Sequence, residues 1–206
     1  MVDRTGKKVE LAARPALTGF FLHQFYIITP DFPNQINIQG LPAGTEQFTI
    51  GGYNRGGELF GRPFGIGNRL ITEIGYEGGI ENTDTPYLTG EKQVTDRTTI
   101  TPPSGVSDAE FINNLGNAAR TTLSQPYASG GSTFSFGGAN SNNIVVSLAQ
   151  RTGVVSQVTS FNPKNFNFSP GNQGYWIQSA RQSIQARLNY ISAQLEAIRQ
   201  LLLTLR

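Results

Sequence analysis

Residues 20–29 read FFLHQFYIIT, a run of aromatic and β-branched side chains closed by Pro30. Such a run favours a strand over a helix. Alternation sends His23, Phe25 and Ile27 to one face and Gln24, Tyr26 and Ile28 to the other. Working outward, Arg69–Tyr76 (RLITEIGY) alternates in the same way. Gln35–Gln39 and Gln47–Ile50, short and bounded by Gly or Pro, read as further strands of a meander. The glycine-rich stretch 51–67 reads as turn or loop, and 77–105 as mostly loop.

The period then changes. Ser107-Asp108-Ala109-Glu110 has the form of a capping box, and Phe111, Leu115, Ala118, Ala119 and Thr122 follow at helical spacing. A helix is therefore expected over about 107–124, weakened by Gly116. A second is expected near 141–152, with Ile144, Val145, Leu148 and Ala149 on its apolar face, Arg151 at its C-terminus and Gly153 as its stop. Residues 154–175 read as irregular or as short paired strands.

Between Ile177 and Arg206 there is neither Gly nor Pro. Ile177, Ile184, Leu188, Ile191, Leu195, Ile198, Leu202 and Leu205 fall alternately three and four apart, with only Arg181 breaking the series. That is a coiled-coil seam, and Leu at a with Ile at d favours trimers or tetramers over a parallel dimer. The oligomerising residues are expected to be Ile184, Leu188, Ile191, Leu195, Ile198 and Leu202. A long helix lying along its own domain, or on a membrane surface, would show a similar stripe.

Composition narrows the chemistry. The 206 residues suit one domain with an appendage, and a charged fraction of 15% with 37% hydrophobic residues is too apolar for a disordered chain. With no cysteine, thiolate catalysis, disulfides and Cys-based metal sites are excluded. One histidine excludes multi-histidine metal centres; a site of carboxylates and carbonyls stays open but has no calcium-loop spacing, so no metal or cofactor is expected. A net charge of +2 gives no case for nucleic-acid binding. No run is long and apolar enough for a membrane span or a Sec-type signal. The expected protein is soluble, either cytoplasmic or delivered within a larger particle. Glu73, Glu77, Glu81 and Asp84 form an acidic run expected to face solvent, and the glycine-rich segments lack the strand–loop–helix context of a phosphate loop.

The sole histidine, in His23-Gln24-Phe25-Tyr26-Ile27-Ile28, precedes by more than a hundred residues the stretch Gly138-Ala139-Asn140-Ser141-Asn142-Asn143-Ile144-Val145 at a helix start. This order resembles the circularly permuted papain-like superfamily, which includes lecithin-retinol-acyltransferase-like and deSUMOylating-isopeptidase-like proteins. Its base histidine precedes a nucleophilic cysteine set in an Asn-Cys-x-x-[Phe] signature at a helix N-terminus. Here Asn140 matches, Ser141 stands where cysteine is expected, and Ile144 takes the aromatic position. The resemblance covers about residues 18–155. It implies Ser141 as nucleophile, His23 as base and Gln39 (or Asn37) as the orienting group. Asn140, Asn142 and Asn143 would line the substrate site.

Serine is much harder to ionise than cysteine, so the same residues also fit a hydrolase-type shell used for binding. Ser141 as a plain helix cap and His23 as a core histidine are the bland alternatives. The expected fold is α+β: a small antiparallel sheet with two helices, permuted papain-like, plus a long C-terminal amphipathic helix. Its parts would be an N-terminal segment 1–14, the domain 15–175 and a coiled-coil helix 176–206. Two functions remain: an oligomeric structural or binding component, or a Ser/His amide or ester hydrolase.

Overall fold

The computed structural model describes residues 9–16, 21–55, 69–80, 82–126, 141–161 and 163. The chain divides into two units, Met1–Gly174 and Tyr175–Arg206. The second unit, with the whole heptad seam, lies outside the described residues.

The fold is α+β. Strands β1 (Val9–Ala16), β2 (Phe21–Ile28), β3 (Phe48–Arg55), β4 (Arg69–Gly75) and β5 (Asp96–Thr99) form an antiparallel sheet in the order β5-β1-β2-β3-β4. A two-residue strand, β6 (Gln125–Pro126), pairs outside β4. Helices α1 (Asp108–Arg120), α2 (Ser141–Arg151) and α3 (Val155–Ser160) follow.

Alternation sorts the strands onto two unequal faces. Val9, Leu11 and Ala13, then Leu22, Tyr26 and Ile28, then Phe48 and Ile50, then Leu70 and Ile74 meet the helices in the main core. From the helices come Phe111, Ile112 and Leu115, then Ile144, Val145 and Leu148, then Val158. Among the described residues, the second face holds a small apolar cluster, Ala12, Phe25 and Ile27, with Tyr87, Leu88 and Val94 packed on it. Those last three belong to the connection that leaves β4 and crosses beneath β3, β2 and β1 to reach β5 at the far edge.

Local details explain the element ends. Ser107 caps α1, its hydroxyl accepting from the Glu110 amide at 3.3 Å. Arg151 in the last turn of α2 donates to the Ala118 carbonyl at 2.7 Å and to the Thr121 hydroxyl at 2.6 Å, closing the C-terminus of α1. Gly153, at φ +79°, lets Val154 bond back to Ala149, which terminates α2. Gly116 sits where a Cβ would lie 2.2 Å from Ile38, so this glycine lets α1 close onto the neighbouring segment.

Four expectations are corrected. Val9–Ala16, with residues 9–14 assigned to a segment ahead of the domain, is a strand paired between β5 and β2. Its Pro15 is tolerated because β5 pairs only with Glu10–Ala13, leaving that side of the strand free of a ladder. Residues 35–39 form no strand. After a 3-10 turn at Pro33–Gln35 they run along α1, held by Asn113, whose amide accepts from the Asn37 N–H at 2.7 Å and donates to the Gln35 carbonyl at 3.1 Å. Strand β3 does not stop at Ile50 but continues through Gly51 and Gly52. Val155–Ser160 is a short third helix rather than irregular chain. Among the described residues, no helix is long and apolar enough to cross a membrane.

Candidate functional site

The two adjacent glycines of β3 organise the polar chemistry, one on each face. A Cβ on Gly51 would lie 3.2 Å from the Asp84 carboxylate and 3.0 Å from the Tyr53 hydroxyl. A Cβ on Gly52 would lie 2.9 Å from the Cα and carbonyl oxygen of Ser141 and 2.8 Å from Ile144. Gly51 therefore admits a carboxylate to the second face, and Gly52 admits the start of α2 to the first. Glycine inside a strand commonly marks such a close approach.

Asp84 is the centre of the second-face cluster and is 0% exposed. The Asn82 side chain accepts from the amides of Asp84 (2.9 Å) and Thr85 (3.1 Å), an Asx turn that leads into the 3-10 turn Thr85–Tyr87. This turn aims the carboxylate at the sheet. Three strands then supply donors: Arg14 Nε of β1 at 2.6 Å, His23 Nε2 of β2 at 2.8 Å and Tyr53 OH of β3 at 2.5 Å. Arg14 also donates to the Thr83 hydroxyl at 2.9 Å, and its guanidinium lies 5.7 Å from the Tyr87 ring centre. The His23 ring stacks on Phe25 with centroids 5.7 Å apart.

Burial alone would push the Asp84 carboxyl up, yet the charge and hydrogen bond of His23, the Arg14 charge and the Tyr53 hydrogen bond leave it below its ordinary value. Burial first, and then the Asp84 charge, push the Tyr53 phenol well up. The carboxylate is thus ionised at neutral pH and can only accept, so both Tyr53 OH and His23 Nε2–H donate to it. Nε2 of His23 therefore carries a proton. Such carboxylate–imidazole pairing is chemically able to orient a base.

The first-face cluster gathers at the start of α2. Strand β3 pairs with β2 across Phe25–Ile28, so among the described residues the earlier half of β2 has no strand neighbour on that side. Asn142, 2% exposed, supplies one: its Oδ1 accepts from the Gln24 N–H at 2.8 Å and its Nδ2 donates to the Leu22 carbonyl at 2.9 Å. One side-chain amide thereby makes the two bonds a neighbouring strand would make. Two residues further along β2, the Tyr26 hydroxyl donates to the Val145 carbonyl at 3.0 Å, and burial raises its phenol far beyond the usual range, keeping it a neutral donor. The side-chain amide of Gln24 is buried without a partner among the described residues, as is the Thr72 hydroxyl. Thr72 is in register with Gly52, over which the first turn of α2 packs.

The residues named from sequence are distributed as follows. His23 and Ser141 are not brought together. Ser141 packs over Gly52 on the helix face, whereas His23 projects from the opposite face and bonds to Asp84. Gln39 is exposed, on the segment alongside α1, and the group that orients His23 is Asp84 instead. Asn142 is a buried clamp on β2 rather than an open substrate contact, and Asn143 is partly buried beside it. Asn140, Ile184, Leu188, Ile191, Leu195, Ile198 and Leu202 lie outside the described residues. Asp84, expected to face solvent in an acidic run, is wholly buried. Among the described residues, no group of three or more His, Asp or Glu side chains gathers as a metal site. Compared with known protein families, curated proteins and solved structures, the chain matches none.

Proposed function

We propose that this chain is an oligomeric structural or binding component: a non-hydrolytic α+β domain joined to further copies of itself through its C-terminal heptads. The observation that carries the non-hydrolytic part is the separation of Ser141 from His23 by the sheet, with the imidazole engaged by a buried carboxylate. A serine needs a base within hydrogen-bond reach, because its own hydroxyl is scarcely ionised at neutral pH. The self-associating part rests on the heptad spacing from Ile177 to Leu205. Homotypic assembly into trimers or tetramers follows from the Leu and Ile placement, with no nucleic acid required.

The test is mass by light scattering on the full chain, on a chain ending at Gly174, and on full-length Leu195→Asp. The expected result is several chains per particle for the first and one for the other two. The same number of chains per particle in all three would overturn the assembly reading.

One observation favours a second reading, a Ser/His amide or ester hydrolase of the permuted papain-like kind. The start of α2 docks on the stretch of β2 that bears His23, with Asn142 bonded to both flanking residues. A fluorophosphonate probe separates the two. Labelling that disappears in both Ser141→Ala and His23→Ala would establish the hydrolase, and a folded, unlabelled chain supports the structural component.

A further inference from the structure

We propose that residues 82–95 form a strap that opens as a unit separate from the rest of the domain, with Asp84 as the latch that holds it shut. This stands on the geometry of the second face and is independent of the assembly reading.

The strap crosses the sheet from β4 to β5. Its described backbone hydrogen bonds are local as far as Pro86–Lys92: Thr85 to Asn82, Tyr87 to Asp84, Leu88 to Thr85 and Lys92 to Pro86. Its first backbone bond to the sheet is Thr95 N–H to the Ala13 carbonyl at 2.8 Å, at its far end. Between these points it is held by side chains. Among the described residues, Tyr87, Leu88 and Val94 cover a small cluster, Ala12, Phe25 and Ile27, while the main core lies on the other face. A segment with little apolar cover and no ladder belongs at the low-stability end of a fold. What fixes it is one carboxylate that gathers Arg14, His23 and Tyr53 from three successive strands. Asn82 adds a weaker contact to the Thr49 hydroxyl at 3.4 Å. Opening would bare His23 and Phe25, buried in the closed state, together with the half-buried Arg14 and Tyr53, as one aromatic and basic surface.

The latch is also acid-sensitive. The charged and titratable groups around it are Arg14 on β1, His23 on β2, Tyr53 on β3 and Tyr87 on the strap itself. Glu73 on β4 shares that face in register with Gly51, and the Glu10–Arg97 pair lies further along it. Because the Asp84 carboxyl titrates lower in the folded protein than in the open chain, its contribution is complete above the ordinary carboxylate value. It is lost as the pH falls through the folded one.

The experiment is hydrogen exchange read by mass spectrometry on the full chain, comparing peptides from 82–95 with peptides from α1 and α2. Rates are corrected for intrinsic pH dependence. In the wild type, the strap is expected to exchange at least about tenfold faster than the helices, and the gap widens from about pH 5 to about pH 3. In Asp84→Asn, the strap loses protection at neutral pH while the helices keep theirs. Equal protection of strap and helices throughout the wild-type series would overturn the proposal. So would an Asp84→Asn chain whose strap stays as protected as the wild type, or one whose helices lose protection together with the strap. The wild-type series needs no substitution and decides the matter by itself.

Discussion

At the scale of single residues, Asn142 carries the sharpest consequence. It satisfies a buried N–H and a buried carbonyl of β2 at once. Asn142→Leu would leave both without partners and is expected to destabilise the domain by about 2–4 kcal/mol, measured by chemical denaturation. Asn142→Asp separates hydrogen bonding from size. Its ionised carboxylate accepts from Gln24 but faces the Leu22 carbonyl with no proton to offer. Since burial raises such a carboxyl, the variant should regain stability as the pH is lowered from about 7 to about 5. The role of Asn142 was not legible from sequence, because an Asn in a first helical turn reads as a cap or a ligand-facing residue. Asp84 was hidden for a different reason. Among Glu73, Glu77 and Glu81 it looks like solvated charge. The signal that could have found it is Asn82-Thr83-Asp84-Thr85-Pro86, an Asx turn followed by a proline-started turn, together with the need of Arg14 and His23 for a counter-charge.

At the scale of elements, β3 carries the lesson. Gly51-Gly52 read as the end of a strand, yet the strand continues because each glycine lets something approach a different face. Gly52→Ala would press its Cβ into the backbone of Ser141, which cannot rotate away. The expected cost is about 1–3 kcal/mol, seen as a lowered thermal midpoint. Strands β2 and β4 and helices α1 and α2 were legible, since their alternation or helical period, capping serine and terminal glycine all agree. Strand β1 was not, because Pro15 argues against a strand unless the outer ladder stops at Ala13. Helix α3 is only six residues long and has no side-chain cap, so it offers little periodic signal.

At the scale of the whole molecule, one face of the sheet bears the helices and main core, and the other is closed by a crossing connection pinned at Asp84. This asymmetry sends His23 and Ser141 to different faces. The alternation of FFLHQFYIIT already assigned His23 to the face opposite Tyr26, but not which of those faces the helix would cover. Tyr26 bonding to α2 answers that. The measurement closest to the heart of the matter is the nitrogen NMR spectrum of the imidazole, unambiguous because the chain has a single histidine. With Nε2–H donating to the Asp84 carboxylate, Asp84→Asn should move the ring-nitrogen shifts and Ser141→Ala should leave them where they are. A spectrum that responds to Ser141→Ala and ignores Asp84→Asn would contradict this arrangement and return His23 to the role of a base for serine.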